Sequence, residues 1–122
     1  ALVQKVKSFS PGIGGQPPCI LVFCLDGALL PQNAEGLPDI SDGVLDLAMA
    51  AENLMLAAAG RGLGTCAVKS FHPMLVRRIL KLPDGLQPEF LVVLGHPAQM
   101  PDMPRRRPLK ELVRYNLGEE GS

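Results

Sequence analysis

The stretch Ser41 to Phe71, SDGVLDLAMAAENLMLAAAGRGLGTCAVKSF, decides the fold. It reads as a long buried helix, a glycine stop and a buried strand. Between Gly43 and Gly60 stand Val44, Leu45, Leu47, Met49, Leu54, Met55 and Leu56 among many alanines, and the charges are Asp46 and Glu52 alone. A surface helix shows one apolar stripe and one polar face. This one is apolar nearly all round and needs cover on most sides. At 1.5 Å per residue it is about 27 Å long, and a chain of 122 residues has little material to wrap it. The expectation is a homodimer through helix 43–60, with a monomer core helix as the alternative. Ser41 or Asp42 is the expected N-cap, because a short side-chain oxygen accepts from a free backbone N–H.

Gly60, Gly62 and Gly64 at the other end suit the left-handed turn that closes a helix. The GRGLG run is not a dinucleotide fingerprint. That motif needs strand, glycines, then helix, so that phosphates meet a helix N-terminus. Here the helix comes first and the strand follows.

Upstream, Ala1 to Phe9 carries apolar residues at 2, 3, 6 and 9, spaced for an amphipathic helix. It opens without a cap and reads as the end of a longer segment. Ser10 to Pro18 is a Gly- and Pro-rich loop. Cys19 to Leu25, CILVFCL, is a continuous apolar run that predicts a central strand buried on both faces. Ala28 to Ile40, with Pro31, Gly36 and Pro38, reads as a loop. Downstream, Thr65 to Ser70 is a strand, and His72-Pro73 opens a short helix through Lys81, since proline suits the first helical position. Leu82-Pro83-Asp84-Gly85 closes that helix, and Glu89 to Gly95 is a further buried strand. A Pro-rich loop, His96 to Pro104, leads to Leu109 to Leu117, a short helix or an extended arm. Three strands and a tail are thin for a complete domain. Sheet edges need neighbours, supplied by another chain or by a larger protein.

Lys plus Arg and Asp plus Glu both total 12, so the formal net charge is zero and no broad basic surface for nucleic acid is expected. The charge is uneven, however, with Arg105, Arg106 and Arg107 consecutive. No apolar run reaches the roughly 20 residues needed to span a bilayer, and no signal-peptide pattern opens the chain. The three cysteines are odd in number and lack CxxC spacing, which suits reduced thiols in a cytoplasmic protein. Cys19 and Cys24 should point to opposite faces of one strand. His72 and His96 have no partners at metal-ligand spacing. No catalytic acid, base or nucleophile stands out.

Five segments, in order, resemble the FMN-dependent nitroreductase and flavin reductase family. CILVFCLD (Cys19–Asp26) is similar to the strand before the family's central helix. AAENLMLAAAGRGLGTCAVKSF (Ala50–Phe71) resembles the central dimer helix and the strand after it. HPMLVRRILKLPDG (His72–Gly85) resembles the next short helix and its close. PEFLVVLGHPAQ (Pro88–Gln99) resembles the following strand and its exit. PRRRPLKELV (Pro104–Val113) resembles the basic run and arm. The resemblance covers Cys19 to Val113 and implies an α+β fold: a nitroreductase-like α/β sandwich, incomplete, with a long central dimer helix. The family's N-terminal Arg-Arg-Ser-type and Pro-Ser-x-x-Asn segments have no counterpart, so the chain looks like the C-terminal half of such an enzyme.

By the same resemblance, Ala67, Val68, Lys69 and Ser70 lie against the flavin ring, with backbone N–H groups approaching N5 and O4. A fixed donor there stabilises a reduced ring without needing a particular side chain. Relatives often carry small residues where Lys69 and Ser70 stand. Lys69 would crowd the ring, point away, or end as a solvated strand-end lysine. Arg105 and Arg106 match the basic pair at the FMN phosphate, where guanidinium forks suit a dianion; a solvated charge run is the alternative. The implied function is hydride transfer from NADH or NADPH through FMN to a nitroaromatic, quinone or similar acceptor. Two readings compete with it: a non-catalytic flavin-binding or dimeric scaffold module, and a surviving part of a full enzyme. The chain alone is expected to be a poor flavoenzyme.

Overall fold

The structure, a computed structural model, describes residues 1–115. Its elements in chain order are α1 (Leu2–Ser8), β1 (Cys19–Asp26), α2 (Ile40–Ala59), β2 (Gly64–Val68), α3 (Pro73–Leu80), β3 (Leu86–Gly95) and α4 (Leu109–Leu112). This is the succession that the apolar runs and their glycine and proline boundaries predict. Of the expected arm, Leu109 to Leu117, the first four residues form one helical turn, and 116–117 lie outside the described residues.

The sheet order is β1-β3-β2, with β3 antiparallel to both neighbours. The outer strands are therefore parallel to each other. They are joined by α2, with β3 inserted between them in a split β-α-β arrangement. Among the described residues, Cys19–Leu25 thus lies at the sheet's edge and not at its centre; the centre is β3. An apolar run on both faces reports layers above and below the sheet, not the number of ladder neighbours. Ile20 and Val22 of β1 pack on a core built from Val6, Ile13, Val68, Val76 and Leu91. Alternation sends Leu21 and its cross-strand partner Val92 to the opposite face, which α2 covers along β1 and β2. Val76, Leu91 and Val92 are wholly buried.

β3 is longer than the expected Glu89–Gly95 because it runs through a proline. Phe23 pairs with Phe90 but Cys24 pairs with Pro88, which leaves Glu89 without an opposite residue. A bulge of this kind is where a central strand tolerates a residue with no N–H. The Phe23 and Phe90 rings stack with centroids 4.7 Å apart.

Helix α2 starts at Ile40, before the expected Gly43, and its cap is Asp39 rather than Ser41 or Asp42. The Asp39 carboxylate accepts from Ser41 N at 3.1 Å, Asp42 N at 3.3 Å and Ser41 Oγ at 2.7 Å. Gly43 sits inside the helix because a Cβ there would meet Leu25 Cδ2 at 2.9 Å; the missing side chain lets α2 rest on the end of β1. The far end closes as a Schellman turn. Gly62, at φ 73°, is its left-handed residue, with Leu63 N on Ala58 O at 3.0 Å and Gly62 N on Ala59 O at 2.9 Å. The buried residues of α2 are Gly43, Ala51 and Ala58. Leu45, Met49 and Leu56 stand 61%, 61% and 62% exposed on another face of the helix.

Candidate functional site

β2 leaves the sheet just before the start of α3, and the predicted ring-side residues fall at that exit. Ala67 and Val68 end the strand, and Lys69 and Ser70 lie beyond it. The strand expected to reach Ser70 stops at Val68, the last residue with a ladder partner, Leu91. Val68 is buried in the core, while Ala67, Lys69 and Ser70 are exposed. The exit is pinned from behind by the segment after α1. Gly12 N donates to Ser70 O at 3.2 Å, and His72 N donates to Phe9 O at 2.9 Å. Gly12 packs so closely that an added Cβ would meet Val68 Cγ1 at 2.8 Å and Ser70 Cβ at 3.2 Å.

Among the described residues, the backbone N–H groups of Lys69 and Ser70 donate no hydrogen bond. Two backbone donors are thus left without a protein partner beside a carbonyl, Ser70 O, that Gly12 holds. The Lys69 side chain does not end free in solvent. Its Nζ donates to the Glu89 carbonyl at 2.6 Å and pairs with Glu89 Oε2 at 3.2 Å. His72 caps α3, with Nδ1 accepting from Leu75 N at 3.4 Å. Arg77 closes the α3–β3 turn through Asp84 Oδ1 at 2.6 Å and Pro83 O at 3.2 Å.

Two hollows flank the exit. An open, mostly apolar one of about 470 Å³ is lined by Phe9, Pro11, Ser70, Phe71, His72 and Pro73. The other, about 330 Å³, lies on the Lys69 side against Pro73, Met74, Arg77, Gln87 and Glu89. Sequence reasoning missed Glu89. The available signal was a proline directly before it in an apolar run, which marks a bulge and so a re-aimed side chain.

Arg105 and Arg106 are exposed on the extended segment before α4. With Arg107, Pro108 and Glu111 they line an open hollow of about 450 Å³. Among the described residues neither makes an ion pair, and their hollow shares no lining residue with those at the strand exit. Ala67 to Ser70 stand together at the strand exit, and the two arginines line a different hollow. The cysteines are unpaired; Cys66 is exposed, and burial pushes the Cys24 thiol up, with the Glu89 charge adding to it. Among the described residues no three His, Cys, Asp or Glu side chains cluster as metal ligands, and no helix is long and apolar enough to cross a membrane.

A split β-α-β sheet with a long helix on one face and two short helices on the other is a nitroreductase-like α+β fold, here with three strands among the described residues. The solved Bacillus subtilis NfrA1 nitroreductase superposes with a TM-score of 0.73 at 26% identity, covering 98% of this chain and 56% of that one. A nitroreductase family protein from Clostridium difficile superposes at 0.72 and 26% identity, covering 93% of this chain and 66% of that one. The chain belongs to the Nitroreductase family, whose family model matches residues 8–96. Among curated proteins, it is 28% identical to an FMN reductase (NADPH) of Bacillus subtilis over 93% of this chain and 53% of the relative. It is 34% identical to an oxygen-insensitive NADPH nitroreductase of Salmonella typhimurium over 78% of this chain and 42% of the relative. The chain thus spans about half the length of the curated relatives it matches.

Proposed function

We propose that this chain is part of an FMN-dependent NAD(P)H oxidoreductase that passes electrons from NADH or NADPH to a nitroaromatic, quinone or similar acceptor, and that it acts as a cytoplasmic homodimer. The observation that carries the reading is the exit of β2: exposed backbone with the Lys69 and Ser70 N–H groups open, beside a hollow walled by Phe9 and Phe71. That donor set suits the polar edge of a flat heteroaromatic ring, with apolar surface next to it. The relatives' names, an FMN reductase and an NADPH nitroreductase, support the same cofactor and donor.

FMN, when bound, supplies the two-electron chemistry at its ring. The residues of this chain bind and orient it. Within Ala67 to Ser70, the Lys69 and Ser70 N–H groups offer the ring edge backbone donors, which need no side chain, and Gly12 N holds the Ser70 carbonyl. Arg105 and Arg106 hold the phosphate, with guanidinium groups that make no ion pair among the described residues and can fork onto two oxygens. The dimer reading is supported by Leu45, Met49 and Leu56, an apolar face of α2 that the described residues leave uncovered.

The second reading, a flavin-binding or scaffold module without turnover, is favoured by one observation: the arginines and the strand exit line different hollows. The test is to titrate the purified chain with FMN and to follow NADH and NADPH oxidation with a quinone and a nitroaromatic. Stoichiometric FMN with steady turnover establishes the first reading. Binding without turnover moves the chain to the second, and no flavin uptake removes the first and leaves only the scaffold form of the second.

A further inference from the structure

Glu89 stands where the β3 ladder slips, between Pro88 opposite Cys24 and Phe90 opposite Phe23. A bulge re-aims the side chain of its extra residue. The Glu89 side chain is only 19% exposed, and Lys69, at the exit of the neighbouring strand, reaches it twice. Lys69 Nζ donates to the Glu89 carbonyl at 2.6 Å and to its carboxylate at 3.2 Å. Among the described residues, Lys69 is the sole cation in ion-pairing range of this carboxylate. The lysine itself is 74% exposed, and an ion pair with so exposed a partner adds little stability. The effect of the pair is positional. One end is bolted to the bulge, and the other is the side chain next to the two open N–H groups.

We propose that Glu89 is a positioning residue that draws the Lys69 ammonium onto β3, off the open donors at the strand exit, and balances its charge beside the ring those donors hold. This rests on the flavin reading above and adds to it that the Lys69–Glu89 pair sets how strongly the site favours the reduced over the oxidised ring. Two-electron reduction leaves negative charge on the ring, so a nearby unbalanced cation favours the reduced form and an unbalanced carboxylate disfavours it.

The experiment measures the affinity of the purified chain for oxidised and for dithionite-reduced FMN, in the unaltered protein, Glu89→Gln, Lys69→Met and the double variant. The ratio of reduced to oxidised affinity should rise about threefold to tenfold in Glu89→Gln, fall by a similar factor in Lys69→Met and return within about twofold in the double variant, as expected for one charge acting across several ångströms of partly screened protein. A thermal melt run alongside separates a scaffold role, which lowers the melt and leaves the ratio alone. Equal ratios in all four proteins overturn the proposal while leaving FMN binding intact. Failure to bind FMN in the unaltered chain removes the flavin reading itself, and the inference with it. Should Glu89→Gln not fold, the sign of the change in Lys69→Met, at an exposed side chain, decides the matter.

Discussion

Asp39 holds the start of α2 with a single carboxylate, and its ionisation is coupled to folding. The bond from the Ser41 hydroxyl, then those from the Asp42 and Ser41 backbone, hold its pKa below the ordinary value. A group whose folded pKa is depressed contributes stability above its unfolded pKa of about 3.9, and that contribution is lost as pH falls through the folded value. Asp39→Ala should therefore be less stable than the unaltered chain at pH 7. The gap should close as the pH drops below about 4, read as converging denaturation midpoints. A gap of constant size would assign Asp39 no role in acid sensitivity. Gly12 gives a test of the opposite kind. Its missing side chain admits Val68 Cγ1 and Ser70, so Gly12→Ala should cost about 1–3 kcal/mol by overpacking. The same change should weaken FMN, because Gly12 N also holds Ser70 O. A neutral melt with unchanged flavin affinity would show that this segment does not brace the exit.

Among the elements, α2 was the most legible and the most instructive. Its apolar run and closing glycines marked a long helix, and the left-handed turn falls at Gly62. What a helical pattern does not encode is which apolar side is covered within the chain. Gly43, Ala51 and Ala58 pack inward, while Leu45, Met49 and Leu56 face out. Leu56→Glu should consequently leave the monomer folded and abolish dimerisation, since the charge enters an interface and not the chain's own core. Sedimentation equilibrium with circular dichroism checks this. A variant that stays dimeric moves the interface elsewhere, and an unaltered chain that is already monomeric removes it. The start of α2 was misjudged because Ser41 and Asp42 are good caps in isolation, yet Asp39 sits where one carboxylate reaches both of their N–H groups. The bulge at Glu89 was missed for a related reason. Its cause lies partly in register against β1, and register is a property of two strands.

In the whole molecule, sheet order was the least legible property. β1 and β3 are similarly apolar, and local pattern gives no means of telling which one takes two neighbours. The site was legible only in part. Ala67 to Ser70 came from likeness to a family, and the open N–H groups became visible with the end of the ladder at Val68. Arg106 tests whether the separate arm and the strand exit serve one ligand. Arg106→Ala should weaken FMN by about 1.5–3 kcal/mol and riboflavin hardly at all, since riboflavin has no phosphate for a charge-assisted bond. Equal losses for both would return Arg106 to the solvated surface. The placing of β3 has one more consequence, for the order in which the chain can be made. Among the described residues, every ladder bond of β1 and of β2 goes to β3, which follows both of them in the chain. While a ribosome is still emitting residues before Leu86, α2 and the two apolar strands are made but the partner that β1 and β2 share is not. A truncated chain of residues 1–85 should accordingly lack sheet signal and bind a chaperone or a hydrophobic dye, and the sheet should form only once β3 has cleared the exit tunnel.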